Sequence, residues 1–83
     1  MDITATKNDI RCGVGMRIRE LRESQNLSQY KFATMVDVDR TYLIAIEKGR
    51  RNVSLDVLIK IAIGLDVHIA DLFSSVDVEI QSR

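Results

Sequence analysis

The chain's 83 residues leave room for one domain around one small core. Its 46% hydrophobic and 29% charged residues exclude a disordered chain, and no apolar run nears the roughly 18 to 20 residues that cross a bilayer. The formal net charge is zero, yet the segment from Arg11 to Lys60 carries ten basic against six acidic residues, so a basic middle is balanced by acidic ends.

The first apolar residues at helical spacing are Val14, Ile18 and Leu21. Gly13 and Gly15 each cost about 1 kcal/mol inside a helix, so a helix is expected from near Val14. Residues 1–12 are then expected as a mobile N-terminal arm, although Ile10 lies on the same stripe. Gly13-Val14-Gly15 is too short for a phosphate-binding loop and follows no strand. Asn26, which tolerates the left-handed conformation, closes this helix.

Four helix starts follow, each an apolar residue, a cap, and a second apolar residue five positions after the first. They are Leu27-Ser28 with Phe32, Val38-Asp39 with Leu43, Val53-Ser54 with Leu58, and Val67-His68 with Leu72. Each fits a hydrophobic staple; Ser28, Asp39 and Ser54 are favoured caps worth about 1 kcal/mol each, and His68 is a poor one. Val36-Asp37-Val38 makes a tight turn between the second and third helices, and Gly49 ends the third. The expected fold is therefore all-α, a five-helix bundle with its main domain over 13–74.

In the fourth helix Leu55, Leu58, Ile59, Ala62 and Leu65 form the expected core stripe, and Val57 and Ile63 extend apolar surface beyond it. Together with Ile69 and Phe73 these two predict an interface with a second copy of the chain. In the tail, 75–83, Val76, Val78 and Ile80 alternate with Ser75, Asp77 and Glu79, the pattern of a short strand, with a frayed tail as the alternative.

The most informative stretch is Gln29 to Ile46, two short helices across a tight turn, with Phe32, Ala33, Val36, Val38, Leu43 and Ile46 facing inward. The chain from about Ile18 to Phe73 resembles the Cro and phage-repressor type of helix-turn-helix family, which includes restriction–modification controller proteins. Asp39-Arg40-Thr41-Tyr42-Leu43, Ile46-Glu47-Lys48-Gly49-Arg50-Arg51-Asn52 and Ser54-Leu55 carry most of the likeness, and Arg19-Glu20-Leu21-Arg22 and Asp71-Leu72-Phe73 extend it. Lys31, Asp37 and His68 depart from the family's usual acidic residue, glycine and Ser/Thr cap.

The resemblance implies a lambda-repressor-like DNA-binding bundle, the helix-turn-helix at 28–48, with the third helix (39–48) in the major groove of double-stranded DNA. Arg40, Thr41, Tyr42 and Ala45 become the expected base-contacting residues; arginine suits guanine, and Ala45 reaches at most a thymine methyl. Ser28, Gln29, Arg50, Arg51 and Asn52 match the family's phosphate-contacting positions, and a helix N-terminus with an arginine-bearing loop suits that role physically. Glu47 is expected to pair with Arg22 as a structural ion pair. The implied activity is that of a homodimeric transcriptional regulator on a palindromic operator.

An enzyme is disfavoured, because the single Cys12 and single His68 supply neither a catalytic constellation nor a metal site. No cofactor, small-molecule ligand or membrane partner is expected. The polar start, without a signal peptide's charged and apolar regions, points to the cytoplasm. The competing reading is an antitoxin or protein-interaction module whose DNA binding is only autoregulatory.

Overall fold

The computed structural model describes residues 3–76. Among them are four α-helices, α1 (Thr4–Ser24), α2 (Gln29–Val36), α3 (Arg40–Glu47) and α4 (Leu55–Leu65), followed by a 3₁₀ turn over Ile69–Phe73. The fifth expected helix is thus a single short turn, and the α-helix count is four. The Asp71 carboxylate accepts from the His68 backbone N–H at 3.1 Å, which tightens this turn. The part of the expected C-terminal strand carried by Val78 and Ile80 lies outside the described residues.

The three favoured caps act locally as their chemistry requires. Ser28 Oγ accepts from the Lys31 N–H at 3.0 Å, Asp39 Oδ2 from the Tyr42 N–H at 3.1 Å, and Ser54 Oγ from the Val57 N–H at 3.1 Å. Helix ends repeat one device as well. Asn26, Asp37, Gly49 and Asp66 all have positive φ, and the N–H of the following residue reaches back five positions: Leu27 to Arg22 O, Val38 to Ala33 O, Arg50 to Ala45 O, Val67 to Ala62 O, at 2.9 to 3.2 Å. Leu27, Val38 and Val67 therefore close one helix and, one residue before the next cap, staple the start of another. That double use keeps the connections short.

The first helix begins at Thr4, not near Val14, so residues 4–12 are helical rather than a loose arm. Packing offsets the glycine penalty. Val14 and Ile18 are buried and Ile10 and Leu21 half-buried along one stripe, while Gly13 and Gly15 are also buried. A Cβ at Gly15 would lie 2.8 Å from the Glu47 carbonyl oxygen, and would meet the Ile46 carbonyl as well. Only glycine lets α1 approach the end of α3 this closely.

Phe32, Ile18, Leu43, Ile46, Ile61, Leu65 and Leu72 fill the centre of one core that joins all the elements. α1 packs on α3 and the 3₁₀ turn, and α2 packs on α3 and α4. The stripe of α4 differs from the expected one: Leu58, Ile61, Ala62 and Leu65 are buried, whereas Leu55 and Ile59 are 63% and 42% exposed. Eight of the eleven residues in Leu55–Leu65 are apolar, so periodicity alone leaves the rotation of this helix open.

Candidate nucleic-acid interface

The unit built by α2, the turn at Asp37 and α3 leaves one side of α3 open. Leu43, Ile46 and Glu47 face the core, and Arg40 and Thr41 are exposed at the helix start. Tyr42 and Ala45 are half-buried, so the helical repeat places Thr41, Ala45 and Lys48 along the outer face, with Arg40 and Tyr42 on its flanks. Lys48, exposed at the end of this row, is an addition to the expected set. Its spacing of seven residues from Thr41 was the available signal.

Two of the three arginines expected to make contacts, Arg40 and Arg51, rest on tyrosine rings. The Arg40 guanidinium carbon lies 5.8 Å from the centre of the Tyr30 ring, and that of Arg51 lies 5.2 Å from the centre of Tyr42. Such contacts are worth about 0.5 to 1 kcal/mol at exposed sites, enough to bias a side chain without locking it. The Tyr42 hydroxyl donates to the Asn52 carbonyl at 2.9 Å, tying α3 to the loop that follows it. Arg50, Arg51 and Asn52 are all exposed in that loop. The loop leaves α3 through Gly49, whose φ of +72° and contact with Cys12 suit glycine alone.

At the start of α2 the side chains serve the fold. Ser28 caps the helix, and Gln29 Nε2 donates inward to Glu47 Oε1 at 3.0 Å. The first turn of a helix carries backbone N–H groups without an intrahelical acceptor, and in α2 that of Lys31 is already satisfied by Ser28.

Glu47 sits at a crossing of three elements. Arg22 Nε donates to its Oε2 at 2.7 Å and Arg22 Nη2 to its Oε1 at 2.9 Å, while Arg22 Nη1 donates to the Leu27 carbonyl at 2.7 Å. Both side chains are buried, at 7% and 2% exposure. The hydrogen bond to Glu47 raises the Arg22 pKa above its ordinary value, against the opposing effect of burial. The acidic group at the end of α3 is thereby turned inward and neutralised.

The expected partner surface divides in two. Ile63 and Phe73 are 74% and 40% exposed, and Leu55 and Ile59 join Ile63 in a row spaced by four along α4. Val57 and Ile69 are instead half-buried against the chain's own core.

Comparison with known proteins fits this geometry. The profile of a family described as helix-turn-helix matches residues 18–72. The chain belongs to the helix-turn-helix family. Its relatives include the control protein C.MunI of a Mycoplasma species, 47% identical over 73 residues that span 87% of this chain and 99% of that one. Control protein C.BamHI of Bacillus amyloliquefaciens is 47% identical over 66 residues, 78% of this chain and 82% of the relative. Among solved structures, the restriction-modification controller protein C.AhdI from Aeromonas hydrophila superposes with a TM-score of 0.74 at 41% identity, over 76% of this chain and 96% of that one. The helix-turn-helix match begins at Ile18, so most of α1 precedes it. No helix among the described residues is long and apolar enough to cross a membrane.

Proposed function

We propose that this helix-turn-helix protein is a sequence-specific, homodimeric transcriptional regulator of the restriction–modification controller kind, without catalytic activity of its own. The observation that carries the reading is the open face of α3. It starts with exposed Arg40 and Thr41; the Arg50-Arg51-Asn52 loop meets it at Tyr42, and the first turn of α2 meets it where Arg40 lies over the Tyr30 ring. In this arrangement α3 enters the major groove, Arg40, Thr41, Tyr42 and Ala45 meet base edges, and the loop and the first turn of α2 hold phosphates. Similarity to control and controller proteins over most of the chain supports the regulatory role.

One recognition helix reads too few base pairs for useful specificity, so a second copy is part of the mechanism. The exposed row Leu55, Ile59 and Ile63, with Phe73, is the surface that a second copy would bury. Two-fold symmetry would set the two recognition helices about 34 Å apart and require a nearly palindromic operator. Selection of bound sites from a random duplex library tests the whole reading. A palindromic consensus is expected, bound with a log–log salt slope of roughly −5 if each subunit neutralises about three phosphates. Recovery of no consensus, or salt-independent binding, overturns it.

A further inference from the structure

Part of the loop after α3 is held by a segment of α1 that precedes the stretch matched by the helix-turn-helix profile. Arg11, on the early turns of α1, donates from Nη2 to Asn52 Oδ1 at 2.5 Å across 41 residues of sequence, and its Nη1 reaches Asn8 Oδ1 at 3.4 Å. Lys7, Ile10 and Arg11 line one wall of a groove whose other walls include Asn52, Val53 and Phe73. One residue further along α1, Cys12 lies against Gly49 at the loop's start. The loop is therefore touched by α1 at its beginning and at Asn52.

We propose that Arg11 is a positioning residue for DNA binding, one that orients the Asn52 side-chain amide so that its NH₂ end meets a phosphate. A guanidinium group has five donors and no acceptor, so only the amide oxygen of Asn52 can face it. The nitrogen, at the other end of the planar amide, is then directed away from Arg11. A phosphate accepts hydrogen bonds and cannot donate them, so this is the one orientation of Asn52 that suits DNA. Without Arg11 the amide is free to flip, and its oxygen, turned outward, repels the phosphate. The Asn52 main chain is already fixed by the Tyr42 hydroxyl, which leaves the side-chain rotor as the degree of freedom that Arg11 removes. This inference rests on the DNA-binding reading above and adds a role for a residue that precedes the stretch matched by the helix-turn-helix profile.

The test is a double-mutant cycle on the full chain with Arg11→Met, which keeps the stem and the helix propensity, and Asn52→Ala. The duplexes are the selected site and an unrelated one. Arg11→Met is expected to lose roughly three- to tenfold in affinity on both, with an unchanged salt slope, and to cost nothing further when combined with Asn52→Ala. A slope flatter by about one per subunit, or a full loss persisting in the Asn52→Ala background, makes Arg11 a phosphate ligand itself and overturns the proposal. Affinity equal to wild type also overturns it. In the DNA-free protein, the Asn52 side-chain amide resonances should shift and broaden in Arg11→Met, an effect that a general loss of stability would not confine to that residue; unchanged resonances count against the role. If the wild-type protein itself binds no duplex, the DNA reading fails and this inference with it. If only the Arg11 variant behaves as wild type, this inference alone fails.

Discussion

Arg22 grips both carboxylate oxygens of Glu47, at 2.7 and 2.9 Å, and this buried fork joins α1 to the last turn of α3. A third donor, Gln29 Nε2 from the first turn of α2, reaches the same carboxylate at 3.0 Å. One acidic side chain thus sets the register of three helices. Removing it leaves the guanidinium buried without its charge partner. Glu47→Ala is expected to lower the stability of the DNA-free protein by about 3 to 5 kcal/mol, a large share of what a small domain possesses. Thermal or urea denaturation followed by circular dichroism measures this, and an unchanged midpoint would show that the two charges act independently.

Reading and positioning should separate cleanly between two arginines. Arg40→Ala is expected to cost roughly 1 to 3 kcal/mol on the preferred duplex and to relax one base position, whereas Arg51→Ala should weaken all duplexes alike. Competition binding against a panel of single-base variants distinguishes the two patterns. A uniform loss in both variants removes Arg40 from the role of base reader.

Gly15→Ala runs against helix propensity. Alanine is the better helix former by about 1 kcal/mol, but its methyl group would press on the Ile46 and Glu47 carbonyls at the α1–α3 crossing. Overpacking of this kind typically costs about 1 to 3 kcal/mol, and the contact here is with backbone that has little room to yield. A net destabilisation is expected in urea unfolding; a more stable variant would mean that the crossing can widen.

The apolar row on α4 has a direct test in solution mass. Ile63 is 74% exposed, so Ile63→Lys leaves the subunit's own core untouched while placing a charge in the surface proposed to be shared. Sedimentation equilibrium should find wild type dimeric and the variant shifted to monomer, with folding intact by circular dichroism. A variant that dimerises as wild type does places the seam elsewhere.

Much of this molecule is legible from local sequence because its helix ends are built from short-range chemistry. The capping roles of Ser28, Asp39 and Ser54, and the left-handed turns at Asn26, Asp37 and Gly49, depend on neighbours within a few residues. Asp66 closes α4 by the same device and was readable on the same grounds. The early start of α1 was not, because the glycine penalty is local while the compensating approach to Ile46 and Glu47 is distant in sequence. The rotation of α4 escaped for the opposite reason. Its apolar residues encircle too much of the helix, and the choice of Leu58 and Ile61 over Leu55 and Ile59 is made by the packing of other elements. At the candidate site, Arg50 and Arg51 were visible as a basic pair, whereas the Arg11–Asn52 contact spans 41 residues and has no local signature.

Tyr42 bears on how such a protein acquires a new target. Its hydroxyl holds the Asn52 carbonyl and its ring supports Arg51, so exchanging it would disturb the loop together with the helix. Arg40 and Thr41, by contrast, project from the helix start with no part in the core, and Ala45 carries only a methyl group. The face is therefore modular in an uneven way. In the proposed reading, positions 40, 41 and 45 form an exchangeable alphabet, and Tyr42, besides meeting a base edge, is also part of the frame that displays it. A library built to redirect this protein to a different operator should diversify those three positions and keep Tyr42 constant, because variation there would be charged to affinity before it altered the message.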